Sequence, residues 1–177
     1  GTIDSVVGSV FSDDIITNDI PPQLKPLFDD IDLCGNDIAT FLRTTFTNAV
    51  KDGHSFIFVD APPPVKVPEG QSATLADVID RRPFWVNYKK SQGPNCQFDV
   101  INGKTILTQV TFKETVTEKD GRFGEKKVKR YRVLMPGKWE LWEERKQEGT
   151  NQTVDVLIGE GTTALDEIPL AVVYTNK

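Results

Sequence analysis

The chain has few of the residues that build disulfide frameworks and metal sites. Its 177 residues include two cysteines and one histidine. Cys34 and Cys96 stand in unrelated contexts, so we expect free thiols in a reducing compartment rather than a disulfide. A zinc site needs several cysteine or histidine ligands at short spacing, and His54 has no such companion in the sequence. We therefore expect no bound metal and no cofactor.

The sequence also lacks long apolar runs and an excess of positive charge. No apolar run approaches the roughly 20 residues that a membrane-spanning helix needs, and no secretory signal pattern is present. The formal net charge of −5 argues against a surface whose main task is to hold nucleic-acid phosphates, because such a surface is basic. A chain of this length can bury a core without disulfides, so we expect a single domain over residues 1–177.

The first residues lack an initiator methionine, and the chain begins at Gly1-Thr2 directly inside a periodic segment. It ends a few residues after the apolar run 168–174. We expect the chain to be a piece of a longer protein, with Gly1 left by cloning.

Residues 36–60 contain the apolar pattern of a helix followed by the apolar pattern of a strand. Apolar residues recur at helical spacing in the first part of this stretch, which predicts a helix of about four turns with one buried face. The predicted buried residues are Ile38, Phe41, Leu42, Phe46, Ala49 and Val50. Asn36 or Asp37 can cap the start of the helix, and Gly53 permits the left-handed conformation that ends one. The run 55–59 is short and rich in Phe, Ile and Val, so it predicts a buried strand.

The rest of the first half is also predicted to be mainly helical. Apolar residues at helical spacing over 3–11 predict a short amphipathic helix. Pro21 and Pro22 suit the start of a second short helix, whose apolar residues lie within 24–31. A proline-rich connection over 61–70 then leads to a short predicted helix over 72–80.

After residue 83 the apolar period changes to two, which predicts a series of strands. The predicted strands cover 84–88, 97–101, 106–116, 128–134, 139–143, 154–158 and 168–174. Asn102-Gly103 is a two-residue hairpin signal because both residue types tolerate positive φ. The charged, glycine-containing stretch 118–125 is predicted to be a loop.

The expected fold class is therefore α+β. N-terminal amphipathic helices in a helical part over 1–82 are expected to pack on a mixed, mostly antiparallel β-sheet in a mainly β part over 83–177.

Asp60 and His54 invite a catalytic interpretation. The strand FIFVD, which ends at Asp60, resembles the magnesium-binding strand of a nucleotide hydrolase, but the chain has no phosphate-binding loop of the form G-x-x-x-x-G-K-[ST]. Asp60 is therefore predicted simply to start a loop. His54 follows the end of the long helix, where a partial positive charge is favourable, so we expect a capping or surface histidine.

Asp30, Asp32 and Gly35 imitate positions one, three and six of a calcium-binding loop. Position twelve would be Phe41, however, so the bidentate carboxylate that such a loop needs is missing. We expect these aspartates instead to favour the positive end of the following helix. No catalytic, cofactor-binding or metal-binding residue is assigned from the sequence.

One local cluster of positive charge precedes and enters the predicted strand 128–134. Its residues are Lys126, Lys127, Lys129, Arg130 and Arg132, with Tyr131 interleaved, and the neighbouring segments carry Glu114, Glu118, Glu125, Glu143 and Glu144. The cluster could contact a nucleic-acid backbone, but strand alternation divides it between two faces. Cross-strand ion pairing on a solvated sheet face is therefore predicted. The three tryptophans, Trp85, Trp139 and Trp142, are predicted to pack in the core or between strands.

Several short stretches of the sequence, taken in their order along the chain, can be compared with a known protein family. They are DSVVGSVF, LKPLFDDIDLCGNDIATFLRTTFTNAVKDGHSFIFVDAPP, RRPFWVNY, NGKTILTQVTFKE, YRVL and IPLAVVY. This progression resembles the middle of tailed-bacteriophage portal proteins. It looks most like a group of phage and prophage structural proteins that are described as a domain of unknown function and grouped with portals. The resemblance extends over nearly all 177 residues and rests on element order and short strings, not on a catalytic signature.

The resemblance implies a virion structural protein, not an enzyme. Portal subunits form an oligomeric ring at one capsid vertex, through which DNA is packaged and ejected. For this chain it implies the wing, the α/β body that radiates from the ring. The implied partners are further copies of the subunit, and head and terminase proteins that bind through parts mostly absent here. DNA is implied to pass the ring without specific binding, no membrane is involved, and the implied location is the virion or the host bacterial cytoplasm.

Two alternatives to the portal interpretation stay open at the level of sequence. The first is an enzyme of unrecognised type that uses Asp60, His54 or the carboxylates near Asp30. The second is a protein-interaction module of a prophage that binds through an exposed sheet edge.

Overall fold

A computed structural model of the chain describes residues 1–62, 81–93, 95–147, 149 and 152–175. The predicted helix over 72–80 and most of the predicted connection over 61–70 lie outside these residues. The helices are α1 (Thr2–Val10) and α2 (Ile38–Asp52), with short 3₁₀-helices at Lys25–Asp29 and Lys90–Gln92. The strands are β1 (His54–Asp60), β2 (Phe84–Lys89), β3 (Asn95–Ile101), β4 (Lys104–Asp120), β5 (Gly124–Met135), β6 (Lys138–Lys146), β7 (Thr153–Thr162) and β8 (Leu170–Tyr174).

The α+β prediction is confirmed, with the strands in two sheets. One sheet has three strands in the order β2-β1-β8, and the other has five in the order β3-β4-β5-β6-β7. Every pairing between the described strands is antiparallel. The chain divides into a first unit, Gly1–Lys90 with Pro169–Lys177, and a second unit, Ser91–Ile168.

This division differs from the predicted boundary between a helical part over 1–82 and a mainly β part over 83–177. The first unit holds the helices but also three strands, because β1 pairs with β2 on one side and with β8 on the other. The pairing between β1 and β8 joins segments that are more than a hundred residues apart in sequence, and local apolar periodicity carries no information on such a contact.

The helix α2 begins and ends as the sequence predicts. The Asp37 carboxylate accepts a hydrogen bond from the backbone N of Thr40 at 2.7 Å, which satisfies one of the free amides in the first turn. Gly53 at the other end has a φ of 87°, the left-handed conformation that favours glycine. Phe41 and Ala49 are buried as predicted, whereas Ile38, Leu42, Phe46 and Val50 are only half-buried.

The buried face of α2 also contains polar residues that the apolar pattern did not indicate. Thr45 and Asn48 are both buried. The Asn48 amide donates to Oδ1 of Asn87 at 2.7 Å, and the Ser55 hydroxyl donates to the backbone O of Thr45 at 3.0 Å. These bonds connect α2 to β1 and β2 and give partners to the Asn48 amide and the Ser55 hydroxyl. The buried Thr45 hydroxyl has no hydrogen-bond partner within the described residues.

The core of the first unit forms where these elements meet. Ile31, Phe41 and Ile57 are its buried centre, and Trp85 packs against them. The ring centroids of Phe41 and Trp85 are 5.7 Å apart in an edge-to-face arrangement, which is a favourable geometry for two aromatic rings. The backbone N of Trp85 also donates to the backbone O of Ile31 at 2.9 Å, so the segment before α2 is fixed to β2.

The second unit is a meander in which each strand pairs with the next in sequence. The predicted Asn102-Gly103 hairpin is confirmed: the two residues have φ values of 51° and 76° and connect β3 to β4. The predicted loop over 118–125 is too long, because β4 continues to Asp120 and β5 begins at Gly124, which leaves a turn at 121–123. Opposite charges face each other across these strands, Glu118 with Lys126 and Lys119 with Glu125, and such pairs stabilise a sheet.

A glycine on β7 gives a direct test of side-chain packing in this sheet. A Cβ atom built on Gly161 would lie 2.7 Å from Nε1 of Trp139, whereas a Cβ on Gly159 would lie at an ordinary 3.5 Å from Cζ3 of the same ring. We expect Gly161→Ala to lower the free energy of unfolding by about 1–2 kcal/mol, because the indole must move. Gly159→Ala is the matched control, and equal effects of the two changes in urea denaturation would contradict this packing.

Candidate functional site

The residues that invited a catalytic interpretation do not lie together. His54 and Asp60 are the first and last residues of β1, which places them about 20 Å apart along an extended strand. The His54 ring contacts Phe56 edge-on, with centroids 5.2 Å apart. The Asp60 carboxylate accepts a hydrogen bond from the backbone N of Ala61 at 2.8 Å. The two side chains therefore cannot act at one reaction centre.

Asp30 and Asp32 bind the loop that precedes α2. Asp30 accepts a hydrogen bond from the backbone N of Gly35 at 2.8 Å, and its other oxygen pairs with Arg82 at 2.8 Å. Asp32 accepts from the backbone N of Cys34 at 3.0 Å and from the Asn36 side chain at 2.8 Å. Their hydrogen bonds thus fix the loop, and Asp37 provides the carboxylate that caps the helix.

The hydrogen bonds to Asp32 have an electrostatic consequence. Partial burial acts to raise the pKa of this carboxyl, but the bonds from the Asn36 side chain and from the backbone of Cys34 and Asn36 together lower the pKa below its ordinary value. Asp32 is therefore a charged, structural acceptor at neutral pH.

The remaining metal-ligating side chains are also apart. Cys34 and Cys96 are free thiols, as predicted, and burial raises the pKa of Cys96. Within residues 1–62, 81–93, 95–147, 149 and 152–175, no three His, Cys, Asp or Glu side chains are close enough to hold a metal ion. Trp85 and Trp139 pack as predicted, Trp85 on the core of the first unit and Trp139 over the glycines of β7. Trp142 is half-buried, and its indole N–H donates to Glu140 at 2.8 Å.

The charged residues of the second unit do come together, on one face of β4, β5 and β6. The Arg130 guanidinium donates to Glu143 with Nε at 3.0 Å and Nη2 at 2.9 Å, and it also contacts Glu118. On the same face the Nε of Arg132 donates to Glu114 at 2.8 Å. The predicted cross-strand ion pairing is confirmed, and we call these five side chains the charged network.

Glu143 is the most buried member of the charged network, with 7% of its surface exposed. Besides Arg130, it accepts a hydrogen bond from the Nε of Arg145 at 2.8 Å. The bond from Arg145 lowers the pKa of Glu143 most, and those from Arg130 add to the effect. The carboxylate is thus held in its charged form between two cations on adjacent strands.

A cleft in the first unit has the size of a small-ligand site, but its polar groups are already used. The cleft has a volume of about 430 Å³ and is lined in part by Phe41, Trp85, Asn48 and Asn87. The two asparagines bond to each other, and Asn87 also donates to the backbone O of Phe56 at 3.1 Å. These bonds serve the packing of α2 on the sheet.

The edge strand β3 presents a group of exposed apolar side chains. Phe98 is 59% exposed and Val100 is 72% exposed on one face of the strand, and Ile101 is exposed on the opposite face. Because β3 pairs with β4 on one side only in the described sheet, its other side offers backbone groups as well as apolar surface. We call these three residues the β3 edge patch. It is the candidate functional site for contact with another protein.

The sequence indicated the charged network but not the β3 edge patch. Apolar residues of a strand such as 97–101 are expected to face a core, and nothing local in the sequence shows that β3 is the last strand of its sheet. The consecutive Val100 and Ile101 were the available signal, since a half-buried strand would alternate apolar and polar residues.

Comparison with known proteins gives no assignment. No known protein family matches the chain by its family profile, and no curated protein matches it in sequence. No helix in the described part of the chain is long and apolar enough to cross a membrane.

Proposed function

We propose that this chain is the wing-like α+β body of a phage portal-like subunit, which forms a ring at the capsid vertex through which DNA is packaged and ejected. The proposal rests on the order of the strings DSVVGSVF to IPLAVVY along the chain. The α+β fold, with helices first and antiparallel strands afterwards, is compatible with the wing that the resemblance implies.

The structural observation that carries the proposal is the exposed β3 edge patch. Apolar side chains that extend from an unpaired strand edge favour association, and proteins that stay monomeric usually protect such edges with charge or cover. A second copy of the subunit in a ring would cover the patch. On this proposal the protein works through contacts with other subunits, and none of its residues is catalytic.

Substitution of one patch residue in the longer portal-like subunit that this proposal implies tests this contact. We expect the protein to form a multi-subunit particle by sedimentation velocity, and Val100→Glu to weaken that particle, because a charge would be buried at the contact. Thr117→Glu is the control, since Thr117 is an exposed residue of β4 beyond the part of that strand that pairs with β3, and the change adds the same charge.

The two ways in which this experiment can fail have different meanings. A stable particle that is unaffected by Val100→Glu would place the subunit contact elsewhere. A longer protein that stays monomeric would contradict the proposed function itself.

A second candidate is a protein-interaction module, since an exposed strand edge can also receive a strand from an unrelated partner. In that case the longer protein would be monomeric alone, and Val100→Glu would weaken binding of the partner without any change in its own mass.

A further inference from the structure

The strands β5 and β6 diverge to form a cleft in the second unit. Their pairing runs from Met135, which lies opposite Lys138, to Arg130, which lies opposite Glu143. Beyond that point β5 stays paired with β4, and β6 stays paired with β7. The cleft between the separated strands has a volume of about 520 Å³. We call it the strand fork.

The strand fork concentrates positive charge in a chain whose net charge is −5. Five cations line it, and they are Lys126, Lys127, Lys129, Arg145 and Lys146. The lining carboxylates are Glu143 and Glu144. Glu143 is held by Arg130 and Arg145, and Glu144 accepts from Lys129 at 3.3 Å. Positive charge therefore exceeds negative charge in the cleft.

The cations of the strand fork differ in how firmly they are held. The ion pairs of Lys126 with Glu118 and of Lys129 with Glu144 are long, 3.6 and 3.3 Å, and their lysines are more than half exposed. Exposed pairs of this kind are weak, so a ligand can replace them at little cost. Lys127 and Lys146 are exposed and form no ion pair within the described residues.

One face of the adjoining β4–β5 ribbon extends the cleft with groups that bind phosphate. Thr115 lies directly opposite Lys129, and Thr117 lies opposite Lys127, so each ammonium has a hydroxyl beside it on the same face. All four side chains are exposed. Lys127 and Lys129 are about 6.6 Å apart along β5, a spacing comparable with that of neighbouring phosphates in one nucleic-acid strand.

We propose that the strand fork and the adjoining lysine and threonine face bind the phosphate backbone of nucleic acid without sequence preference. Lysine and threonine side chains contact phosphates but carry no base-reading geometry here. An acidic peptide would need several apolar contacts. Among the described residues that line the cleft, Val128 is the apolar one, so the cleft does not favour a peptide. The proposal rests on the second unit alone and does not depend on the portal-like function.

Fluorescence anisotropy of a short labelled DNA duplex with the whole chain tests the proposal. With about three phosphate contacts, the affinity should fall about 40-fold between roughly 50 and 200 mM salt. Lys127→Ala and Lys146→Ala should each weaken binding and reduce the slope of log K against log salt concentration by about 1. Two duplexes of unrelated sequence should bind equally.

Lys104→Ala is the matched control, because Lys104 is an exposed lysine on β4 that lies about 35 Å along the strand from Thr115. It should leave both affinity and slope unchanged. No binding at low salt would overturn the proposal, as would binding that Lys127→Ala and Lys146→Ala leave intact. Poly-glutamate that binds as tightly as DNA would overturn it in favour of an acidic protein segment.

Discussion

Replacing Phe41 with alanine is expected to lower the free energy of unfolding by about 3–5 kcal/mol. Phe41 is 6% exposed, and its ring contacts Trp85 within the core that Ile31 and Ile57 complete. The substitution removes both the buried apolar surface and the aromatic contact. Because three separate segments surround the ring, the site cannot easily collapse around the smaller side chain.

Phe46→Ala is the matched control on the same helix. Phe46 is half-buried and faces Phe11, with ring centroids 5.8 Å apart, so about 1–2 kcal/mol is expected. Urea denaturation of the two variants measures the difference. Equal losses would mean that the face of α2 assigned to the core is wrong.

Replacing Glu143 with alanine is expected to lower the free energy of unfolding by about 2–3 kcal/mol. The change removes the acceptor of three hydrogen bonds from Arg130 and Arg145. Arg130 would then keep Glu118 as its partner while remaining largely covered, with 20% of its side chain exposed. The expected loss is smaller than for a fully buried pair, because solvent reaches Arg145.

Glu144→Ala is the control for Glu143→Ala. Glu144 pairs with Lys129, which is 66% exposed, and a pair of this kind contributes less than about 1 kcal/mol. If Glu144→Ala proved as costly as Glu143→Ala, the charged network would have no special role in the stability of the sheet.

The charged network also predicts a pH dependence. The folded-state pKa of Glu143 is lowered, first by the bond from Arg145 and then by those from Arg130. Its stabilisation is therefore complete above the unfolded-state pKa, about 4.3, and is lost as the pH falls through the lowered folded-state value. The stability difference between the native chain and Glu143→Gln should be constant near neutral pH and shrink in acid, and a pH-independent difference would contradict this account.

The sequence was sufficient to predict those secondary-structure elements that are determined by residues close together in the chain. The helix α2 and the strand β1 follow from apolar period, from Asp37 as the cap and from Gly53 as the end. The hairpin at Asn102-Gly103 follows from residue types that tolerate positive φ. Each of these signals acts within a few residues, so no knowledge of the rest of the fold is required.

Features that depend on distant partners could not be predicted in this way. The pairing of β8 with β1 and the division into two units depend on contacts between remote segments. The stretch 118–125 contains glycine and many charges, which favour a loop when they are considered alone. In the structure these charges are paired across two strands, so the context of the neighbouring strand decided the conformation.

The candidate sites show the same limit. Asp60 and His54 were candidates because of their residue types, and strand geometry separates them along β1. Sequence also indicated the basic cluster, and the charged network pairs two of its members, Arg130 and Arg132, with glutamates. The β3 edge patch and the strand fork became visible when the order of strands and the point of their divergence were known.

Electron microscopy of the full portal-like subunit that the proposed function implies is the decisive experiment. We expect closed rings of subunits, because the resemblance implies a portal-like assembly and a contact between different surfaces of successive copies can close into a ring. A monodisperse monomer under all conditions, with no ring in any image, would contradict it.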